Sequence, residues 1–118
     1  MLIYIHTQCS TCQKALRFLE AKHIRFTVKD IVKHPPTLQE LQRMLAYQGG
    51  NLKKLFNTSG LLYRAMGLSA KLQELTESEA LILLSHEGML IKRPFLLGAD
   101  FGLTGFNPKK WSEAFIHA

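Results

Sequence analysis

The sequence predicts an α/β fold, a mixed four-stranded sheet with a helical insertion between its second and third strands. Three observations carry that prediction. A short apolar run opens the chain and gives way to a helical pattern, then to a second strand-like run. From about residue 35 to 88 the segments read as helices, divided by glycines, Asn57 and capping signals. Strand character then returns twice before a last helical pattern.

"MLIYI", residues 1–5, is a continuous apolar run of the kind found in a short buried strand. From Cys12 the period becomes 3.6, with Cys12, Ala15, Leu16 and Leu19 at i, i+3, i+4 and i+7 on one helix face. "IRFTVKDI" (24–31) alternates apolar with polar and suits a second strand, joined to the first by a right-handed parallel crossover. Pro35 and Pro36 end that strand, and Thr37 with Glu40 forms a capping box. The helix it opens runs through Leu41, Met44 and Leu45 until Gly49 and Gly50 break it.

"NLKKLF", "GLLYRAMG" and "SAKLQEL" read as short helical pieces punctuated by Asn57, Gly60 and Gly67. Thr76 and Glu79 make a second capping box for a helix through Ala80, Leu83 and Leu84, with Gly88 as its C′ residue. "MLIKR", then "FLLG" after Pro94, read as strand, and a turn near "ADFG" leads to "LTGF". So short a connection favours an antiparallel hairpin. Asn107 caps a final helix with Pro108 at its first position, and Trp111 and Phe115 at i, i+4 dock it on the sheet. The order β-α-β, helical block, β-β-α is thioredoxin topology with helices inserted.

A length of 118 residues predicts one domain, 1–118, able to bury a core without staples. No apolar run approaches the roughly 18–20 residues that cross a bilayer, and "MLIYIH" lacks the basic flank of a signal peptide. The expectation is a cytoplasmic protein with no membrane association. In that compartment cysteine pairs are catalytic, redox-sensing or metal-binding. The net charge of +6 suits an anionic substrate or an acidic partner, and equally a solvated basic surface. With no helix-turn-helix or zinc-finger pattern and diffuse charge, direct DNA binding is not expected.

The only cysteines are Cys9 and Cys12, in "IHTQCSTCQKAL". His6, Cys9 and Cys12 have zinc-compatible chemistry, but a structural site needs four ligands and no second CxxC or paired histidines complete it. No metal is expected. A staple closing so few residues removes little unfolded-state entropy. The redox reading fits best: amides and the dipole at a helix N-terminus stabilise a thiolate. Cys9 precedes the helix and attacks. Cys12, one turn on, is more buried and resolves. CxxC beside a βαβ pattern is itself a redox cue.

"CSTCQKAL", "HPPTLQEL", "FNTSG", "GMLIKRP" and "LTGF", in that order, resemble the ArsC/Spx family over nearly the whole chain. The resemblance implies a thioredoxin-like fold with Cys9 at the reactive cysteine and Pro94 at the family's cis-proline. It also implies one of two functions. In the arsenate reductases a cysteine attacks arsenate and arginines hold the oxyanion. No cofactor is bound, and glutathione with glutaredoxin, or thioredoxin, supplies the electrons. In Spx-type regulators oxidation of the CxxC alters binding to the C-terminal domain of the RNA polymerase α subunit.

Of three family arginines only Arg93 has a match. Asn57 stands where reductases carry one, and "LTGFNP" supplies none for the third. Lys53, Lys54 and Lys92 offer point charges rather than forks. The CxxC matches the Spx arrangement, many reductases having only the first cysteine. The function expected is a thiol-dependent reductase acting on a small oxyanion or a thiol/disulfide substrate. Cys9 is its nucleophile, Cys12 its resolving thiol and Arg93 its anion clamp, while Asn57 donates a hydrogen bond and Lys92 adds field. The alternative is a redox-sensing regulator that contacts the RNA polymerase α subunit through a region around residues 47–54.

Overall fold

Strand β1 (Leu2–Ile5) buries Ile3 and Ile5 on one face and Tyr4 on the other. A strand buried on both faces needs a neighbour on each side and a helical layer above and below. The computed structural model, which describes residues 1–117, provides both. Helix α1 (Ser10–Ala21) crosses over to β2 (Thr27–Asp30), which runs parallel to β1 with Leu2 opposite Thr27. The insertion holds α2 (Leu38–Tyr47), α3 (Leu61–Ala65), α4 (Leu68–Lys71) and α5 (Glu77–His86), with 3-10 turns at 52–55, 72–74 and 88–90. Strands β3 (Phe95–Leu97) and β4 (Gly102–Thr104) form the antiparallel hairpin, and α6 (Pro108–His117) follows. The sheet order is β2-β1-β3-β4, mixed as predicted.

The pleat of β1 sorts the molecule into two layers. Ile3, Ile5 and Leu96 meet Cys12, Ala15 and Leu19 of α1 and Trp111 of α6. On the other face Tyr4, Phe95 and Leu97 meet α2, α5 and the rest of the insertion. Each fully buried leucine or isoleucine contributes roughly 1.5–3 kcal/mol.

Both capping boxes are present, and that of α2 does more than end a helix. Glu40 Oε1 accepts the Thr37 N–H at 2.9 Å and also the Tyr4 hydroxyl at 2.6 Å. The α2 cap is thereby tied to the central strand. Burial, and then this bond to a carboxylate, raise the Tyr4 hydroxyl well above the usual tyrosine range.

Two expectations are corrected, and a third holds for a different physical reason. The second strand is shorter than 24–31, because His23 takes a left-handed φ of 57° and Ile24 and Phe26 pack into the α1 layer. "MLIKR" is not a strand of the sheet. Residues 88–90 form a 3-10 turn, and Ile91 makes an isolated antiparallel bridge to Phe56. The insertion satisfies this backbone: Asn57 N–H donates to the Leu90 carbonyl at 2.7 Å and Lys92 N–H to that of Leu55 at 2.9 Å. Gly88 is the C′ residue expected, directly after the α5 cap residue Glu87, but it is not among the left-handed glycines. Close approach demands it instead, since a Cβ there would lie 1.9 Å from the Ile31 carbonyl oxygen.

No helix among the described residues is long and apolar enough to cross a membrane.

Substitution at two glycines separates crowding from conformation. Gly88→Ala drives a methyl into backbone and is expected to cost about 3 kcal/mol. Gly49→Ala has open space but a φ of +67°, and is expected to cost about 1 kcal/mol. Urea denaturation of both variants checks the ranking, and a larger loss at Gly49 would contradict it.

Candidate functional site

The chain leaves β1 through His6, whose carbonyl accepts the Cys9 N–H at 3.0 Å and closes a tight turn. Cys9 is then the N-cap of α1, in extended conformation, and its Sγ accepts the Cys12 N–H at 3.2 Å. The sulfur occupies the position from which a serine or aspartate oxygen ordinarily caps a helix. One turn later the 3.6 period turns Cys12 inward, where it is 0% exposed between the sheet and α6. Cys9 stays half-buried at the surface, and both thiols are free.

The pair is electrostatically unequal. Burial, and then its hydrogen bond to the Cys9 side chain, push the Cys12 thiol up to about 12. The His6 backbone and the positive charge of Arg93 act in the opposite direction without prevailing. At neutral pH Cys12 is therefore a protonated, enclosed thiol beside a reachable one. This asymmetry suits attack at Cys9 and resolution from Cys12.

Arg93 precedes Pro94 on the segment entering β3, and the Arg93–Pro94 peptide bond is cis. The Arg93 guanidinium is held loosely, with Nη1 3.4 Å from the Met89 carbonyl and 3.8 Å from the Met89 sulfur. Its Nε is buried and has no hydrogen-bond partner. An arginine whose charge reaches Cys12 and whose donors are underused can still accept an oxyanion.

Asn57 and Lys92 lie on the bridge between the insertion and the 90–92 segment. The Asn57 amide packs over Gly60, leaving Nδ2 2.7 Å from where a Cβ would sit. Lys92 is exposed and lines a cleft beside β4 to which Cys9, Cys12, Arg93 and Asn57 contribute no surface. The structure thus places Cys9 and Cys12 in hydrogen-bond contact, with the charge of Arg93 reaching Cys12, and sets Lys92 in a cleft that none of the three lines. Among the described residues no three His, Cys, Asp or Glu side chains are placed to hold a metal.

Sequence reasoning weighed His6 only as a metal ligand and missed Met89. Both act through backbone carbonyls, for which side-chain identity carries no signal, and Met89 adds its sulfur 3.8 Å from Arg93 Nη1.

Comparison with known proteins gives this site a lineage. The sequence pattern described as the ArsC family matches residues 4–114. The Bacillus subtilis (strain 168) protein YusI is 37% identical over 113 residues, covering 96% of each chain. The regulatory protein MgsR of the same organism is 26% identical over 92% of this chain and 84% of its own. Among solved structures, one described as a possible arsenate reductase from Streptococcus mutans UA159 is 38% identical. It superposes with a TM-score of 0.85, covering 94% of this chain and 96% of that one.

The unequal pair predicts ordered alkylation. Iodoacetamide at pH 7.5 should modify Cys9 in the native protein and reach Cys12 only after unfolding, as read by peptide mass spectrometry. Equal labelling of the two would contradict the placement. Because the folded state raises Cys12 above its unfolded value of about 8.5, the associated stability is complete below that pH. It is lost as pH rises toward about 12. Denaturation between pH 8 and 11 should show a steeper decline in the native sequence than in Cys12→Ala.

Proposed function

This chain belongs to the ArsC family, and on that premise we propose that it is a thiol-dependent reductase of the arsenate-reductase type. The observation that carries the reading is the seating of Cys9 Sγ at the α1 N-cap, with Cys12 enclosed behind it and Arg93 in electrostatic range. The likeness to the Streptococcus mutans structure supports it. The basic balance of the chain suits an anionic substrate.

In the proposed reaction the Cys9 thiolate attacks arsenic(V). A sulfur–arsenic bond forms as one arsenate hydroxyl takes a proton from solvent and leaves as water. Cys12 then gives up its proton and attacks the Cys9 sulfur. The sulfur–arsenic electron pair stays on arsenic, which becomes arsenic(III), and a Cys9–Cys12 disulfide results. Glutathione with glutaredoxin, or thioredoxin, returns two electrons and two protons to that disulfide. Arg93 acts as the clamp, its guanidinium offering paired donors to two oxygens at once. Asn57 supplies a further donor, and Lys92 acts only through its field.

A second reading is a redox switch, favoured by the alignment with MgsR over 92% of this chain. Formation of the Cys9–Cys12 disulfide would then alter binding to the C-terminal domain of the RNA polymerase α subunit. The contact region is the loop around Gly49 and Gly50, both exposed and left-handed.

Arsenate-dependent NADPH consumption, coupled through glutaredoxin, glutathione and glutathione reductase, tests the first reading. Cys9→Ser should abolish turnover. Arg93→Lys should lower kcat/KM by about tenfold or more, roughly 1.4 kcal/mol of transition-state stabilisation. Activity no higher than that of a folded Cys9→Ser variant removes arsenate as substrate. Binding of reduced and oxidised protein to that polymerase domain then becomes the deciding measurement.

A further inference from the structure

Of the residues given a part in the thiol chemistry, Lys92 alone lines a second feature of the fold. Beside β4, the edge strand of the sheet, lies a cleft of about 360 Å3. Three lysines from distant parts of the chain line it: Lys54 from the turn after α2, Lys92 from the bridge segment and Lys110 from the first turn of α6. Among the described residues, no aspartate or glutamate is in its wall. Three ammoniums around one small volume repel one another, and a ligand carrying several negative charges relieves that repulsion.

The cleft is also preorganised. Gly105 forms its floor in a left-handed conformation, φ +70°, and is held from both sides. Its N–H donates to the Pro94 carbonyl at 2.9 Å, and its carbonyl accepts the Trp111 indole N–H at 3.0 Å. The Lys92 stem lies over this glycine, its Cε 2.9 Å and Nζ 3.7 Å from where a Cβ would stand. The missing side chain thus gives Lys92 its place. Asn107 spends its Oδ1 on the Lys110 N–H at 3.1 Å, which leaves its amide N–H groups to donate. Thr104 adds a hydroxyl to the same wall. The free polar groups are thus mainly donors, as an oxyanion requires.

We propose that this cleft binds the diphosphate group of a small molecule. The volume exceeds the needs of a single phosphate, and a diphosphate brings several charges and acceptor oxygens to the three lysines at once. Lysine serves such groups as a point charge that needs no fixed fork. Neither cysteine lines this cleft, and the proposal does not depend on the reductase reading.

Titration of the full chain with inorganic pyrophosphate, followed by calorimetry and by amide chemical shifts, tests the assignment. Saturable binding with Kd of about 1 mM or tighter at low salt is expected, with the largest shifts at Gly105 and around Lys110. Lys54→Gln combined with Lys110→Gln should weaken it about tenfold or more. Both positions are exposed, so the fold is retained. Cys9→Ser should bind as the native chain does. Gly105→Ala, which displaces the Lys92 stem, should weaken binding with all three lysines still present.

Tighter binding of ADP than of pyrophosphate identifies a nucleotide as the source of the group, and equal binding points to the diphosphate alone. Absence of saturation at 10 mM pyrophosphate, undiminished affinity in the double variant, or equally tight binding of orthophosphate would each overturn the proposal.

Discussion

The two-residue pleat of β1 is the constraint on which the rest of the structure depends. Its four residues carry apolar side chains to both faces, so neither face can be left to water. Ile3 and Ile5 recruit α1 and α6, while Tyr4 recruits the insertion. A slip of one residue would exchange the two layers and strand the Tyr4 hydroxyl among aliphatic side chains. The bond from that hydroxyl to Glu40 pins the register, because a slip would carry the hydroxyl away from this carboxylate.

From this strand the chemistry is a matter of direction. The chain emerges from β1, turns once at His6 and enters α1 with Cys9 as its cap. Position alone differentiates two otherwise identical thiols. The first replaces a capping oxygen at the surface, and the second takes a core position of the same helix, where burial opposes its ionisation. Arg93 arrives from the far side of the insertion, on the short segment that precedes β3, with its donors barely engaged. The charge of Arg93 therefore reaches Cys12 from a chain segment about eighty residues away in order, while each is fixed by its own local turn.

What could be read from the sequence was what short-range physics determines. The capping boxes at Thr37 and Thr76, the Asn107–Pro108 helix start and the cysteine pair at the head of α1 are each decided within four residues. The family motifs, in order along the chain, carried the topology. "MLIKR" misled because a short apolar run has no periodicity to distinguish a strand from a buried turn, and its hydrogen-bond partners lie in the insertion. Gly88 looked like a helix terminator, whereas its role comes from the Ile31 carbonyl, 57 positions earlier. In the sequence Lys54 and Lys92 read as stand-ins for missing arginines and Lys110 as surface charge, since only folding brings the three to one wall.

Trp111 is the single tryptophan of the chain and is 1% exposed. Its ring lies edge-on to Phe106 at 5.0 Å and to Phe18 at 5.9 Å, inside the layer that holds Cys12. Its indole N–H is bonded to the carbonyl of Gly105. One chromophore therefore spans the enclosed sulfur layer and the glycine beneath Lys92. Emission excited at the long-wavelength edge of the ultraviolet band, which tyrosine does not absorb, is a one-site optical signal, in which a change of sulfur oxidation state and a shift of the glycine turn register in the same indole without any attached dye.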